Sequence, residues 1–361
     1  MFRPLSSRRG RTAVGLSLTV SFVLTSAIPA MAEWGESQNR ATQLMSDKDY
    51  SGAEAAVIEA IGEAANFEAD DDRMLSSLVL LSDIYRQTRQ WAAAAQQLEN
   101  VVAAYERRSI AQSEEASNVY NKLGVIYAQM KDETKSLDAL EKSLAIKRKK
   151  FKQNAASIAI VVTNLAELYR RKGDWAKAEK LHLEAISDKE FELGPEHPTL
   201  IASLNDLALV FRDEKKLDEA IPYLERAMTL ARAGTHDGHR AELATTIHNM
   251  AEIYAGKGKK EESLKLYEEA LKIRRETLTS THPHVAETLN SFANLLVSMK
   301  RADEALPLFD EAIQIRKAEY GASDNRTLSA MSNKAMAFDR LGKKAEADAL
   351  RKDVKAVREK R

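Results

Sequence analysis

Apolar positions along this chain recur at helical spacing in paired segments, and the pairs themselves recur. In Asn164-Leu165-Ala166-Glu167-Leu168-Tyr169, the residues Leu165, Ala166 and Tyr169 share one helical face. Gly173-Asp174-Trp175 and Ala178 follow, reading as a tight turn and the start of a second helix. Gly173 can take the left-handed conformation that ends a helix, and Asp174 can accept from the free N–H groups that begin the next. Ala166 and Ala178 are small where two helices must approach closely, and Tyr169 and Trp175 fill the space beside them. Such a hairpin cannot bury its apolar face alone, so copies are expected on either side. Taking Tyr169 as a marker, equivalents stand at Tyr85, Tyr127, Phe211, Tyr254, Leu296 and Phe338, spaced by 42 or 43 residues. Three residues before each marker is Ser82, Gly124, Ala166, Ala208, Ala251, Ala293 or Ala335; nine after is Ala94, Ser136, Ala178, Ala220, Ser263, Ala305 or Ala347. Seven before, Leu78, Tyr120, Val162, Leu204, Ile247, Leu289 and Met331 are all apolar. The pattern predicts an all-α array of helix pairs.

These columns resemble the tetratricopeptide repeat, with large, apolar and small positions on a first helix and small and apolar positions on a second. A spacing of 42 in place of about 34 residues is similar to the kinesin light chain type. Gly194-Pro195-Glu196-His197-Pro198, Thr281-His282-Pro283 and Leu204-Asn205-Asp206-Leu207-Ala208 add to that resemblance, which covers roughly residues 73–360. It implies an all-α, right-handed superhelical solenoid of about eight antiparallel helical hairpins (TPR). Residues 33–72 read as a degenerate first hairpin, in which Ala41 and Leu44 match the small and marker columns and Tyr50, Ala53, Val57, Ile58 and Ile61 the second helix. Residues 73–361 form the solenoid proper, ending in a C-terminal capping helix: Arg351 occupies a column that is Leu or aromatic in most other copies, and a polar outer face suits a terminal repeat. Pro195, Pro198 and Pro283 fall at inter-repeat loops, while Pro222 and Pro307 fall early in second helices, where a lost backbone bond costs least.

Ahead of the array, residues 1–12 contain Arg3, Arg8, Arg9 and Arg11 and no acid. An apolar run from Ala13 to Ile28 and then Pro29-Ala30-Met31-Ala32 follow, so residues 1–32 read as a secretory signal peptide cleaved after Ala32. The alternative is an uncleaved anchor, but about 16 residues at 1.5 Å each fall short of a roughly 30 Å bilayer core. The remaining chain is expected to be exported, periplasmic or secreted, with no membrane insertion after signal cleavage. Without the four leader arginines, 50 basic residues stand against 54 acidic ones, a net of −4, which argues against nucleic acid as a partner. The absence of cysteine removes disulfides and thiol chemistry, so the fold must stand on apolar packing.

No Gly-rich loop precedes a lysine, and neither Gly-x-Ser-x-Gly nor His-Glu-x-x-His occurs, so no enzyme activity, cofactor or metal is expected. His197, His236, His239, His282 and His284 lie in or beside loops after second helices, where hydrogen bonding that holds the turn is their expected role. A metal site there would need ligands from successive loops to converge. His182 sits at a mostly apolar column and is expected to pack. The acidic run around Asp70, Asp71 and Asp72 reads as a helix start, with calcium as the alternative. Lys147-Arg148-Lys149-Lys150-Phe151-Lys152 reads as a solvated helix end, with an anion-binding patch as the alternative.

Polar residues five and six before the markers fall outside the packing columns. Six before are Asn121, Asn205, His248 and Asn290; five before are Asn164, Asp206, Asn249 and Asn333; Arg170, Arg171 and Arg212 follow the markers. Asn offers donors and acceptors suited to an extended backbone, and Arg favours carboxylates. The kinesin light chain resemblance implies that these line a concave, peptide-binding groove. The match is partial, with Val79, Thr163 and Ser332, and Leu80, Lys122 and Ser291, at the same two columns. The clamp for a terminal carboxylate found in chaperone-binding relatives is missing, with Val125, Glu167 and Leu209 two before the marker. The expected function is a non-enzymatic scaffold holding a protein or peptide ligand of unknown identity in that groove. The alternative is an accessory subunit of an envelope assembly that uses its convex face or loops.

Overall fold

Small residues at two columns of the repeat let helices pair at short range, and the structure is built from such pairs. The structure, a computed structural model, describes residues 33–65, 68, 70–150, 155–234 and 237–359; the leader at 1–32 and His236 lie outside them. Among the described residues there are sixteen helices and no strand. Helices α1 (33–46) and α2 (Tyr50–Ala64) are followed by α3 (Asp72–Gln87), α4 (Trp91–Arg107), α5 (Glu114–Gln129) and α6 (Glu133–Lys150). Then come α7 (Ala155–Lys172), α8 (Trp175–Leu193), α9 (Leu200–Asp213), α10 (Leu217–Ala233) and α11 (Asp237–Gly256). The last are α12 (Lys260–Thr277), α13 (Pro283–Ser298), α14 (Ala302–Tyr320), α15 (Asn325–Arg340) and α16 (Lys344–Glu359). The chain divides into two compact units between Lys152 and Gln153, α1–α6 in the first and α7–α16 in the second.

All fourteen residues at the two small columns are buried. Ala166, Ala208 and Ala251 are 0%, 1% and 0% exposed. Where a member of a facing pair is serine, its hydroxyl donates to the carbonyl of the opposite residue: Ser82 to Ala94 (2.9 Å), Ser136 to Gly124 (2.7 Å) and Ser263 to Ala251 (2.7 Å). A hydroxyl reaches a carbonyl on the other helix only where the two backbones nearly touch, so these bonds measure the closeness that the alanines enforce elsewhere. Gly124 marks the tightest case, since a Cβ there would lie 2.4 Å from Leu140 Cγ. Around these contacts the apolar columns form continuous cores. One in the second unit joins Leu289, Phe292, Phe309, Leu328 and Tyr267; another joins Leu200, Leu204, Phe211 and Leu224. In the first unit Leu98, Val119, Tyr120 and Tyr127 gather in the same way.

The turn inside every hairpin repeats one backbone motif. The residue four after each marker is left-handed: Lys48, Arg89, Lys131, Gly173, Lys215, Gly258, Lys300 and Gly342 have φ between 61° and 77°. The next residue's N–H returns to the marker's carbonyl, as in Asp174 to Tyr169 (2.9 Å) and Lys216 to Phe211 (2.8 Å). The left-handed residue's own N–H bonds the carbonyl after the marker, completing a Schellman closure. Gly173 therefore plays the role expected of it, and Asp174 accepts from Lys177 N–H at the start of α8. The acidic stretch before α3 acts as a helix start: Asp71 accepts from Arg73 N–H (2.9 Å), and Asp70 and Asp72 are paired with Arg107 and Arg108. At the other end, α16 buries only Ala347 and Val354 among its described residues, and Arg351 pairs with Asp339 at the surface.

Five of the eight turns carry Lys or Arg where glycine is unstrained. A non-glycine residue in this conformation costs about 1–2 kcal/mol, offset by the lower unfolded-state entropy of a residue with a side chain, about 0.4–1 kcal/mol. Lys215→Gly is therefore expected to stabilise the second unit by roughly 0.5–1 kcal/mol. Chemical denaturation measures it; a loss of stability would mean that Lys215 is held by contacts other than its backbone.

Candidate functional site

In the second unit the first helices of successive hairpins touch, α7 with α9, α9 with α11, α11 with α13 and α13 with α15, so their polar columns form one face. Residues six before one marker meet those five before the next. Asn249 Nδ2 donates to Asn205 Oδ1 (2.8 Å), and Asn333 Nδ2 donates to Asn290 Oδ1 (3.2 Å). Thr163 hydrogen-bonds Asp206 at the same pair of columns. Asn205 also donates to Ile201 O and Thr246 Oγ1, both at 2.9 Å, which uses both of its N–H groups. Asn205 and Asn249 are 6% and 8% exposed. These two amides clasp neighbouring repeats, while Asn164, Asn290 and Asn333 are half-buried, as is Asn121 in the first unit.

The arginines behave similarly. Arg170 pairs with Glu167 (2.7 Å) and with Asp213 of the next repeat; Arg212 pairs with Asp213 (2.9 Å) and with Glu252 of the next. Arg171 is exposed. His248 is buried, with Nε2 3.6 Å from Glu252 Oε1 and its ring edge-on to Tyr267. Burial pushes the Glu252 carboxyl up, but the His248 hydrogen bond and the His248 and Arg212 charges bring it below its usual value. Burial likewise raises the Tyr267 phenol.

Two cavities open on this face. One, of about 360 Å³, lies between α9, α11 and the α12–α13 connection, walled by Ile201, Ala202, Ala241 and Leu278 with Asn205, Asp206, Glu242, Thr245, Arg274, His282 and His284. The other, of about 460 Å³, is lined by Arg212, Glu252, Ala255, Tyr267, Ser291, Asn294, Leu295 and Ser298. The first unit has its own, of about 430 Å³, with Leu75, Val79, Tyr105 and Val119 beside Asp72, Glu115, Asn118 and Lys122. In the smaller cavity of the second unit, burial raises the Asp206 carboxyl to about 6 against the opposing pull of Lys189, and burial raises Glu242 too.

A recurrent cation supports this face from behind. Twenty residues after the markers Tyr127, Tyr169, Tyr254 and Leu296 stand Lys147, Lys189, Arg274 and Arg316, near the ends of second helices. Lys189 donates to Thr199 O (3.0 Å) and Ser203 Oγ (2.7 Å) at the start of the next first helix. Arg274 repeats this with His284 O and Thr288 Oγ1, both at 2.6 Å, and Arg316 with Arg326 O at 2.9 Å. Arg274 is only 1% exposed, its charge answered by Glu287 at 3.3 Å. Against the upward push of burial, the His284 hydrogen bond and the His248 and Arg274 charges hold Glu287 at about 2. Lys147 is buried too, so the basic run is not solvated throughout; Phe151 and Lys152 lie outside the described residues. The sequence signal for this tether is the basic column itself, which apolar periodicity does not register.

Two of the loop histidines hold turns, while His239 lies within α11 and His284 within α13, where its Nδ1 pairs with Glu287 (3.2 Å). His197 Nδ1 accepts from Thr199 N–H (3.3 Å), and His282 caps α13 by accepting from His284 N–H (3.2 Å). His182 is packed, with burial taking its pKa down to about 4. Among the described residues no three His, Asp or Glu side chains converge as metal ligands, and no helix is long and apolar enough to cross a membrane.

A family model for the tetratricopeptide repeat matches residues 73–149, 156–233, 242–303 and 284–360. The chain is 24% identical over 264 residues to Protein KINESIN LIGHT CHAIN-RELATED 3 of Arabidopsis thaliana, covering 72% of this chain and 40% of that protein. It is 27% identical over 110 residues to human tetratricopeptide repeat protein 19, mitochondrial, covering 30% of this chain and 28% of that one. It thus spans less than half the length of either relative. Among solved structures, a tetratricopeptide repeat protein from Parabacteroides merdae superposes with a TM-score of 0.60 at 11% identity, covering 85% of this chain and 99% of that one, a likeness of fold.

Two outcomes follow from the site's geometry. Asn205→Ala strands the Asn249 amide and removes the donor to the Thr246 hydroxyl, which keeps its own bond to Glu242 O, and is expected to cost roughly 1–3 kcal/mol in denaturant unfolding, an isosteric Asn205→Asp change being no rescue. Asp206 has a folded-state pKa above its unfolded value of about 3.9, so it opposes folding once ionised and the penalty is complete above about pH 6. Asp206→Asn should raise the melting temperature at pH 7.5, by roughly 1–2 kcal/mol of stability, with the gain shrinking as pH falls to 4.5. A gain that grows on acidification would contradict the assignment.

Proposed function

The chain belongs to the tetratricopeptide repeat family, with repeats of the kinesin light chain spacing, and we propose that it is an exported scaffold that holds a protein or peptide segment along its first helices. A scaffold for protein–protein interaction is what the fold supplies. Support for the groove comes from one observation: the two cavities of the second unit, about 360 and 460 Å³, are walled in large part by residues of the first helices α9, α11 and α13. Because Asn205, Asn249, Arg170 and Arg212 bond within the array, and Asn333 donates to Asn290, ligand contact in this reading falls chiefly to the other residues of the cavity walls and to the half-buried Asn164 and Asn294, with exposed Arg171 and the outward atoms of Asn290 and Asn333. His248 acts through Glu252, and Asn121 offers the equivalent contact in the first unit. Export is supported by the leader's arginines, apolar run and Ala30-Met31-Ala32. A mature amino terminus at Glu33 is its signature in mass spectrometry.

A second reading, an accessory subunit of an envelope assembly, is favoured by a different surface. Phe191 on α8 is 94% exposed and Leu183 38%. The Leu183 column holds Glu99, Glu141, Glu225, Glu268 or Asp310 in five other repeats, Ile58 in the first hairpin and Lys352 in the last. One experiment separates the two: capture of partners from the exporting cell's envelope fraction by three forms of the protein. Asn294→Trp with Ser298→Trp, which fills the larger cavity, is expected to reduce capture at least tenfold, and Phe191→Glu to leave it unchanged. The opposite pattern would support the outer-face reading and sink the groove.

A further inference from the structure

At one junction of the first unit, two columns of the repeat change character together. Twenty residues after the marker Tyr85 stands Tyr105, where four other repeats carry Lys147, Lys189, Arg274 and Arg316. Six before the same marker stands Val79, apolar in a column that otherwise holds Asn121, Thr163, Asn205, His248, Asn290 and Ser332. Both residues line the cavity of about 430 Å³ between α3, α4 and α5, together with the buried Leu75 and Val119. Tyr105 is only 8% exposed, and its hydroxyl has no hydrogen-bond partner among the described residues. Burial holds it as the neutral phenol, and Glu115 and Asp72 act on it as charges and not as acceptors. A buried hydroxyl without a partner is costly, and this one stands at the wall of an open cavity.

We infer that this cavity takes a leucine side chain from a basic segment of a bound protein, the Tyr105 hydroxyl donating to a main-chain carbonyl of that segment. Leu75, Val79 and Val119 offer a polar side chain nothing to bond, so the walls select an aliphatic one. The phenol O–H needs an acceptor, and every residue of an extended segment carries one on its backbone. That a segment delivers the leucine rests on the groove reading above; the cavity and its unpartnered hydroxyl do not.

The flanking charge follows from the surroundings. At the rim the local charges are matched, Lys122 with Asp83 and Arg108 with Asp72. The α1–α2 hairpin adjoins the cavity, Gln38 donating to Ser76 on its rim (3.5 Å), and residues 33–72 carry eleven acidic residues against two basic ones. Lysine or arginine on either side of the leucine meets that field favourably, whereas aspartate or glutamate opposes it.

The test titrates the 15N-labelled protein with three capped tripeptides: acetyl-Lys-Leu-Lys-amide, its Lys-Asn-Lys counterpart, in which a polar side chain of similar size replaces leucine, and its Glu-Leu-Glu counterpart. Saturable amide shifts at 72–79, 105 and 115–122 are expected for the first, with binding about fivefold weaker or more for the other two. Tyr105→Phe should weaken the first peptide roughly threefold or more and leave the melting temperature unchanged, because the hydroxyl has no internal partner to lose. Val79→Asn, which restores the polar character of the column, should abolish the shifts while keeping the helical circular dichroism. Absent shifts, an equal response to either counterpart, or a Tyr105→Phe protein that binds as well as its parent would each overturn the proposal. The titration needs no partner protein, so its failure strikes this site alone. Unchanged capture by the Asn294→Trp/Ser298→Trp protein strikes the groove reading alone.

Discussion

Everything in this protein depends on how closely two backbones approach within a hairpin. The facing small columns set that distance, and the serine hydroxyls that reach across to Ala94, Gly124 and Ala251 carbonyls show how short it is. Enlarging one of these side chains would push apart not one contact but a whole pair, because the large residues beside it, such as Leu140 and Tyr267, are already buried to their limits. Since each hairpin's apolar face is finished only by the next, the same distance controls how the first helices align and hence where polar columns meet.

That alignment explains why the polar face is mostly self-satisfied. Asn205 and Asn249 come together because their columns differ by one residue across adjacent repeats, which brings one amide opposite the other. Arg212 meets Glu252 for a similar reason. A face of matched charges and paired amides presents little net field.

The helices, their pairing and the turn glycines were legible in the sequence because they follow from residue size at a fixed period. Ala208 and Gly173 could be placed by column alone. The polar face was legible only as a set of positions: the columns identify Asn205 and Arg170, but whether an amide faces water or a neighbouring helix depends on the stagger between repeats, a tertiary quantity. Lys189 and Arg274 were harder still. Charged residues near a helix end are ordinarily solvated, and only the structure brings the loop carbonyls of Thr199 and His284 over them.

The cationic tether also has a gap. Its column holds Ala231 at the end of α10, so the junction between α9–α10 and α11–α12 lacks the strut that Lys189 and Arg274 give its neighbours. The Asn205–Thr246 and Asn205–Asn249 bonds span that same junction. Three ion pairs cross it as well, Arg212 with Glu252, Arg232 with Glu269 and Lys257 with Asp218, so the seam is held by side chains between the helices. Where the basic column falls silent, the cohesion of neighbouring repeats passes from a cation anchored on the next helix start to amides and ion pairs shared between helix faces.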